Sequence, residues 1–189
     1  MTEIIFFSNN QNKINEILKL FKGSALKIFN LNDFTKINSP KEIGSTFEVN
    51  AKIKSLFGFK RFNKFCFADD SGICIEAMNG GPGVKSKDYL ILNNSPEENL
   101  ENIIEITKNK NNFSCYFQTT ISLTTSINEN IYFTGRIKGV VSKKIKGSNG
   151  FGYDSIFIPI GTNLTFGQMG RKEKMFMDHR YLAFKKLKK

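Results

Sequence analysis

The chain has 189 residues and a formal net charge of +11, from 28 lysines and arginines against 17 aspartates and glutamates. Its 40% of hydrophobic and 13% of aromatic residues exclude an intrinsically disordered protein and are typical of a globular one with a substantial core. Because no apolar run has the length of a membrane span and the N-terminus lacks the basic start of a secretory signal, neither a membrane protein nor a secreted one is expected.

The N-terminal third is predicted to contain one strand and two helices. Glu3 to Phe7 is a short β-rich run, and the apolar residues from Ile14 to Phe21 recur at helical spacing. A second helix is expected near Ser45, because Ser45-x-x-Glu48 has the form of a capping box. The polar residues between the first strand and the first helix therefore form a loop at a helix entrance.

The middle of the chain is predicted to contain two short strands and a long helix. Phe65 to Ala68 is apolar and has the length of a strand, Asp69-Asp70-Ser71-Gly72 interrupts it, and Ile73 to Ala77 forms another strand. Ser95-Pro96-Glu97-Glu98 combines an N-cap, a proline at the first helical position and early acids. A helix is therefore expected to begin there.

The C-terminal half is predicted to contain three strands and a final helix. Phe113 to Thr125 and Ile131 to Val141 are long β-rich runs, and Tyr153 to Ile158 is a third. A short helix is expected from His179 onward. Because strands and helices are mixed along the chain, the predicted fold class is α/β with a mixed sheet, and residues 1–189 are assigned to a single domain.

The cysteines indicate the cellular compartment of the protein, and its charge indicates the kind of partner it could bind. Cys66, Cys74 and Cys115 form no C-x-x-C pair and leave one unmatched in any disulfide scheme, so reduced thiols and a cytoplasmic location are expected. The positive charge would attract phosphate-bearing partners of any kind. Because lysine accompanies many Asn, Ile and Phe residues along the chain, a base bias of the genome explains the charge at least as well as nucleic-acid binding does.

Two polar segments could handle a phosphorylated substrate. Backbone N–H groups and the lysine of the segment Ser8 to Lys13 could hold phosphate oxygens, although such polar loops are also ordinary connections. Glu42, Asp69 and Asp70 are carboxylates of the kind that Mg²⁺ prefers, although adjacent acids are also common on surfaces. The position of the aspartate pair directly after an apolar strand favours a ligand site.

Two further segments could recognise a purine base. In Gly147 to Asp154, Phe151 could stack on a purine and Asp154 could accept from an N–H group; the alternative is a tight turn leading into a strand. Lys174 and His179-Arg180 could donate to the carbonyl oxygen of hypoxanthine, where adenine carries an amino group. The alternative is that the histidine is a surface or capping residue.

Taken in order, these segments resemble the inosine triphosphate pyrophosphatase family, which hydrolyses non-standard purine nucleoside triphosphates. The resemblance spans nearly the whole chain. The matching stretches are Phe7-Ser8-Asn9-Asn10 with Lys13 and Glu16, Glu42-x-Gly44-x-Thr46-Phe47-x-x-Asn50-Ala51-x-x-Lys54, Ala68-Asp69-Asp70-Ser71-Gly72, Gly81-Pro82-Gly83, Gly139, Gly147-x-Asn149-Gly150-Phe151-Gly152-Tyr153-Asp154, Thr165-Phe166, Lys174 and His179-Arg180. Each stretch alone is weak, and the ordered set is specific.

The resemblance implies a reaction, a fold and an assembly. The expected reaction converts ITP, dITP and XTP to the monophosphate and pyrophosphate, with Mg²⁺ as cofactor. The expected fold has a long central mixed β-sheet flanked by helices, and two lobes with a nucleotide cleft between them. The expected partners are the nucleoside triphosphate and a second copy of the chain in a homodimer, with no nucleic acid and no membrane.

The resemblance also implies roles for individual residues. Glu42 and Asp70 would hold Mg²⁺, and Asp70 would also be the general base for the attacking water. The expected triphosphate contacts are Ser8, Asn9, Asn10, Gln11, Asn12, Lys13, Lys54 and Ser71. The expected base contacts are Phe151, Gly152, Tyr153, Asp154, Lys174, His179 and Arg180.

The chain departs from the family pattern at a few positions. Asn9 stands where a glycine is usual, Gln168 lies in an altered tripeptide, and Asp178 replaces a serine. Since aspartate and serine are both good N-caps, the final helix can begin unchanged. Three alternatives stay open: a related pyrophosphatase with another base specificity, a basic nucleic-acid-binding protein, and a homologue that binds nucleotide without cleaving it.

Overall fold

The protein has an α/β fold, seen in a computed structural model that describes residues 2–34, 37–92 and 95–188. The strands are β1 (Thr2–Phe6), β2 (Leu26–Asn30), β3 (Cys66–Ile75), β4 (Ser114–Ser126), β5 (Glu129–Val141) and β6 (Phe157–Pro159). The helices are α1 (Gln11–Leu20), α2 (Phe47–Phe62), α3 (Ser86–Tyr89), α4 (Pro96–Asn109), α5 (Arg171–Met177) and α6 (His179–Leu187). No helix in these described ranges is long and apolar enough to cross a membrane.

All these strands belong to one sheet with the order β2-β1-β3-β4-β5-β6. β1 pairs in parallel with both β2 and β3, whereas β5 and β6 are antiparallel. The predicted mixed sheet is therefore confirmed. β4 and β5 are neighbours joined by only two residues, as in a hairpin, which confirms the two long strands predicted there.

The chain divides into two compact units. The first unit comprises Met1–Asp70, Thr120–Thr134 and Ala183–Lys189, and its core is rich in phenylalanine. The rings of Phe6 and Phe67 stack with centroids 4.9 Å apart, and the ring of Phe184 meets both edge-on. The apolar residues of α1 recur every three or four positions and pack on this cluster, as the helical spacing predicts.

The second unit comprises Ser71–Thr119 and Gly135–Leu182 and has a separate core. Phe157 lies at its centre, with ring centroids 4.6 Å from Phe117 and 5.0 Å from Phe166. α4 contributes the buried face that carries Leu100 and Ile103. The abundance of phenylalanine in the sequence is therefore explained by aromatic contacts in both cores.

The predicted break between two short strands is wrong. β3 is continuous, so Asp69 and Asp70 lie inside a strand and are buried, with exposures of 1% and 6%. Burial of two carboxylates is tolerated because ammonium groups neutralise them. Lys13 Nζ lies 2.8 Å from Asp69, and Lys54 Nζ lies 3.7 Å from Asp70. Because these lysines are distant from the aspartates in sequence, the local pattern does not show that the two charges are neutralised. A polar segment without visible partners indicates a loop.

Two other boundaries differ from the predictions. The N-cap of α2 is Thr46, whose hydroxyl accepts a hydrogen bond from the Val49 N–H at 3.2 Å, so the cap lies one residue beyond Ser45. The strand predicted from Tyr153 begins only with β6, because the preceding residues form turns. There the Asp154 carboxylate accepts from the Phe151 N–H at 2.8 Å, which curls the chain. The sequence patterns do not predict β2, α3 or α5.

The start of α4 is confirmed, and replacing its cap is expected to destabilise the protein. The Ser95 hydroxyl accepts from the Glu98 N–H at 3.2 Å. Because Ser95→Ala leaves that donor without its partner, we expect the free energy of unfolding to fall by about 1 kcal/mol. Urea unfolding measures the change, with Ser126→Ala at an exposed strand end as the control. Equal losses in the two variants would contradict the capping role.

Candidate active site

The segment between β1 and α1 is largely a helix start. The Asn10 side chain caps α1 by accepting from the backbone N–H groups of Asn12 and Lys13, at 3.0 and 3.3 Å, and Ser8 Oγ accepts from the Asn10 N–H at 3.2 Å. Gln11, Asn12 and Lys13 therefore form the first helical turn. This places the Lys13 ammonium beside Asp69 in the neighbouring strand β3.

Asn9, where the family pattern has a glycine, links this segment to the one that carries Glu42. Its side-chain N–H donates to Ser39 Oγ at 2.7 Å. A cavity of about 590 Å³ lies beside this contact, and its described lining is uncharged. The lining residues are Asn9, Leu31, Asn32, Phe34, Ile37, Asn38 and Ser39. The Gln11 side chain contacts the same part of the chain, since its amide oxygen accepts from Asn32 at 2.9 Å.

Glu42, Lys54 and Asp70 lie together in the first unit. Lys54 projects from α2, and its Nζ is 2.6 Å from Glu42 Oε2 and 3.7 Å from Asp70 Oδ1. Asp70 and Lys54 are buried, whereas the Glu42 side chain keeps 41% of its surface exposed. The two predicted metal ligands therefore share one ammonium group, with one carboxylate in the interior and the other at the surface.

Burial and charge shift the pKa of two members, Lys54 and Asp70, of the acidic cluster, which consists of Glu42, Lys54, Asp69 and Asp70. Burial raises the pKa of the Asp70 carboxyl, and the charges of Lys54 and Lys13 only partly oppose this effect. Burial by itself would lower the pKa of Lys54, but the negative charges of Asp70, Asp69 and Glu42 outweigh it, so this pKa is raised. Lys54 is consequently charged, and Asp70 is a stronger base than an ordinary aspartate.

The donor set of the acidic cluster fits a hard divalent cation. Mg²⁺ takes oxygen ligands and is commonly held by one or two carboxylates, with water and substrate phosphates completing its coordination. Glu42 and Asp70, from different parts of the chain, already contact the same cationic group. No cluster of three or more His, Cys, Asp or Glu residues suited to a metal occurs within the described ranges. Glu42 and Asp70 are the carboxylates that the protein would contribute to such a site.

A second cluster of charged and aromatic residues lies in the second unit. Lys174 Nζ is 2.7 Å from Asp154 Oδ2 and 3.5 Å from Asp178 Oδ2. The ring of Phe151 has Lys174 Nζ at 5.3 Å and the Arg180 guanidinium at 5.1 Å from its centroid. The structure therefore brings together four of the residues predicted to contact the base, Phe151, Asp154, Lys174 and Arg180.

The backbone around Asp154 requires glycine. Gly150 has a φ of +81°, and a Cβ there would overlap the Asp154 carboxylate. Gly152 also has a positive φ, +66°. Burial raises the pKa of Asp154, although the charge of Lys174 works in the opposite direction.

Other residues predicted to contact the substrate make contacts inside the second unit. Tyr153 is buried and its O–H donates to the Ser86 carbonyl at 2.6 Å. The buried ring of His179 stacks on Phe117 with centroids 4.7 Å apart, and burial lowers its pKa. Ser71 Oγ lies 2.8 Å from Thr119 Oγ1. The surface or capping role considered for His179 is therefore wrong, because its ring lies in the core.

Asp178 has a double role that the sequence shows only in part. Its carboxylate accepts from the Arg180 N–H at 2.7 Å, which confirms the predicted cap of α6. It also lies 2.8 Å from His179 Nδ1 and contacts Lys174. Burial opposes ionisation, yet the contact with His179 and the charges of Arg180 and Lys174 hold the pKa of Asp178 below its ordinary value. Asp178 therefore stays ionised and adds negative charge to the second cluster.

The mixed sheet and its helices define an α/β protein. Its carboxylates, which are paired with lysines, form a site suited to a reaction on a polyphosphate. The chain belongs to the Ham1 family, whose model matches residues 4–189. A relative from Porphyromonas gingivalis named dITP/XTP pyrophosphatase is 34% identical over 189 residues, which cover 100% of this chain and 96% of that one. This family membership confirms the resemblance found in the sequence.

Solved structures agree with the family assignment. The HAM1 protein from Coxiella burnetii is 31% identical, with a TM-score of 0.91 and coverage of 100% of this chain and 97% of that one. The Staphylococcus aureus Ham1 protein is 34% identical, with a TM-score of 0.88 and coverage of 99% and 96%. The fold is therefore that of Ham1 proteins over essentially the whole chain.

Proposed function

We propose that this protein hydrolyses non-standard purine nucleoside triphosphates, ITP, dITP and XTP, to the monophosphate and pyrophosphate, and so removes them from the nucleotide pool. The observation that carries the proposal is the buried Asp70 carboxylate with Lys54 and Glu42 beside it. Membership of the Ham1 family and the names of the relatives support the substrate class.

The proposed chemical step is attack of water on the α-phosphorus. Asp70 takes a proton from the water, the water oxygen bonds to the α-phosphorus, and the bond between the α-phosphorus and the bridging oxygen breaks, so that pyrophosphate leaves. The raised pKa of Asp70 suits this role, since a base of higher pKa accepts the proton more readily. Lys13 and Lys54 would offset the negative charge that develops on the phosphate oxygens.

Glu42 and Asp70 are the residues that would hold Mg²⁺. A bound Mg²⁺ would neutralise phosphate charge and make the phosphorus more open to attack. Lys54, which contacts both carboxylates, would hold them in place. Activity is therefore expected to vanish when EDTA removes divalent ions and to return on addition of Mg²⁺.

The second cluster would select the base. Lys174 and Arg180 place positive charge near the Phe151 ring, on which a purine can stack. A hypoxanthine or xanthine carbonyl oxygen would accept from these donors, whereas the amino group of adenine would leave them unpaired. The protein would thus distinguish keto purines from adenine by the cost of an unsatisfied donor.

A substrate panel tests the proposal. With Mg²⁺, purified protein is expected to convert ITP, dITP and XTP to monophosphate and pyrophosphate, with kcat/KM for ATP at least about 100-fold lower. Release of inorganic phosphate and a diphosphate would identify a different bond cleavage. Absence of IMP, or equal turnover of ATP, would contradict the proposal. Including modified pyrimidine and 7-methylguanine nucleotides identifies a related enzyme with another base specificity.

We also propose that the protein is a homodimer in the cytoplasm. The three cysteines are free and buried, and burial raises their pKa, which suits a reducing compartment. The dimer is implied by the family resemblance. Sedimentation of purified protein at several concentrations tests the dimer, and a monomer at all of them would exclude it.

A further inference from the structure

Asn50 lies in the first turn of α2 and is almost completely buried, with 2% of its surface exposed. Both the nitrogen and the oxygen of its side-chain amide form hydrogen bonds. Its Nδ2 donates to Asp70 Oδ2 at 3.1 Å, and its Oδ1 accepts from the backbone N–H of Gly44 at 2.7 Å. One side chain therefore connects the buried carboxylate of β3 to the segment that carries Glu42.

The close approach of this segment depends on glycine. A Cβ at Gly44 would lie 2.6 Å from Asn50 Oδ1 and 2.6 Å from Val49 Cγ1, much shorter than ordinary contacts. Only a residue without a side chain can bring its N–H this close to the Asn50 amide. Glu42 stands two residues earlier, so the Gly44 hydrogen bond also limits where the Glu42 backbone can lie.

The two oxygens of Asp70 have different surroundings. Oδ2 accepts from Asn50, whereas Oδ1 faces Lys54 Nζ at 3.7 Å, on the side where Glu42 Oε2 also contacts that ammonium. The hydrogen bond from Asn50 therefore fixes the rotation of the carboxylate. A donor that orients a metal-binding carboxylate commonly changes metal affinity or activity by 10-fold to 100-fold when it is removed, at order-of-magnitude precision.

We propose that Asn50 is a positioning residue that holds Asp70 and the Glu42 segment in the arrangement needed to share one divalent cation. This inference rests on the proposed function and adds a residue to it. Asparagine suits the position because one planar amide supplies an acceptor for Gly44 and a donor for Asp70. Aspartate would keep the acceptor, lose the donor and add a negative charge beside Asp70.

Three variants test the proposal. Asn50→Ala removes both hydrogen bonds, Asn50→Asp keeps only the one from Gly44, and Gly44→Ala pushes the Glu42 segment away while leaving Asn50 in place. Asn102→Ala is the matched control, because Asn102 is an exposed helical asparagine with a single side-chain bond, to the Tyr89 hydroxyl. If the Asn50 variants fail to fold, Gly44→Ala still tests the proposal.

Two measurements are made on each variant. The first is binding of Mn²⁺ without nucleotide, followed by electron paramagnetic resonance, and the second is the separation of kcat from KM for dITP at saturating Mg²⁺. Asn50→Ala and Gly44→Ala are expected to weaken Mn²⁺ binding by about 10-fold to 100-fold. Asn50→Ala and Asn50→Asp are expected to lower kcat by a similar factor with little change in KM.

The outcomes separate this inference from the proposed function. If Asn50→Ala folds and has unchanged Mn²⁺ binding and kcat, the positioning role is overturned. It is also overturned if the variant differs from the wild type only in a higher KM. A wild type that hydrolyses no nucleotide but loses Mn²⁺ affinity on Asn50→Ala would contradict the proposed function and support the positioning role. A wild type that binds no Mn²⁺ would overturn the inference.

Discussion

Replacing Asp70 with asparagine is expected to lower kcat for dITP by about two to four orders of magnitude, the usual contribution of a general base. The amide cannot accept the proton of the attacking water, and it is a poorer ligand for a divalent cation. The size and shape of the side chain are preserved, so the loss would come from chemistry and not from packing. Single-turnover kinetics with saturating dITP and Mg²⁺ measures it.

The stability of this variant is expected to move in the opposite direction. Burial raises the pKa of Asp70, which means that the folded protein disfavours its ionised form. A neutral amide removes that cost, while the charge of the buried Lys54 is still balanced by Glu42, at 2.6 Å, and by Asp69. The melting temperature should therefore be equal to or higher than that of the wild type. Active-site residues often lower the stability of a protein because function requires them, and replacing them then raises it.

Asp88→Asn is the matched control for this prediction, because Asp88 is an exposed aspartate of α3. It should change neither kcat nor the melting temperature. Retention of more than about a tenth of the wild-type kcat by Asp70→Asn would be too much activity for an enzyme that has lost its general base. A homologue that binds nucleotide without cleaving it would show no difference between Asp70→Asn and the wild type.

Replacing Lys174 with methionine is expected to cost about 3–5 kcal/mol of folding stability at neutral pH, because it leaves the buried carboxylate of Asp154 without its counterion. Lys174 contacts both Asp154 and Asp178, whose side chains are each only 5% exposed. Base recognition should weaken as well, since one of the two cations beside the Phe151 ring is removed along with its hydrogen bond to Asp154. Urea unfolding and kcat/KM for dITP measure the two effects.

The stability loss of Lys174→Met should depend on pH. Burial already raises the pKa of Asp154 above its ordinary 3.8, and loss of the lysine charge would raise it further. A carboxyl whose folded-state pKa is raised binds protons more tightly when folded, so its contribution to stability is lost as the pH rises through that pKa. The deficit relative to wild type should therefore be largest near neutral pH and shrink on acidification.

Unfolding at about pH 7.5 and about pH 5 checks this dependence. Lys172→Met is the control, because Lys172 is an exposed lysine of the same helix and should show a small loss at both values. If the deficit of Lys174→Met were the same at the two pH values, the buried carboxylates would not be its cause.

Local sequence signals identified most of the helices and strands correctly. The Ser95 cap, the long strands β4 and β5, and the start of α6 depend on side chains close in sequence, so their patterns are visible without the structure. These local signals gave a wrong prediction where a contact between residues distant in sequence determined the secondary structure. Asp69 and Asp70 look like a loop, and they form part of a strand because Lys13 and Lys54 neutralise them.

The candidate site shows the same division. The ordered motifs identified Glu42, Lys54 and Asp70, and the structure joins them through one ammonium group. Asn50 stands in the motif stretch that runs from Glu42 to Lys54, but the sequence assigns it no role, because its two hydrogen bonds connect the Gly44 segment to Asp70, which is far away in sequence. Tyr153 and His179 are predicted to contact the base, and the structure shows contacts that their sequence neighbours do not indicate: Tyr153 O–H donates to the Ser86 carbonyl, and His179 stacks on Phe117.

By itself, the sequence determined the fold class and the family, because the strand and helix patterns and the ordered motifs can be read from residue types and their spacing. It also supplied the candidate site residues, whose roles are implied by the family resemblance. The tertiary structure alone decided which charges are buried, which partners neutralise them and in which direction the pKa values of Asp70, Asp154 and Asp178 shift. Burial and charge pairing are sums over neighbours brought together from distant parts of the chain, and no local pattern contains those neighbours.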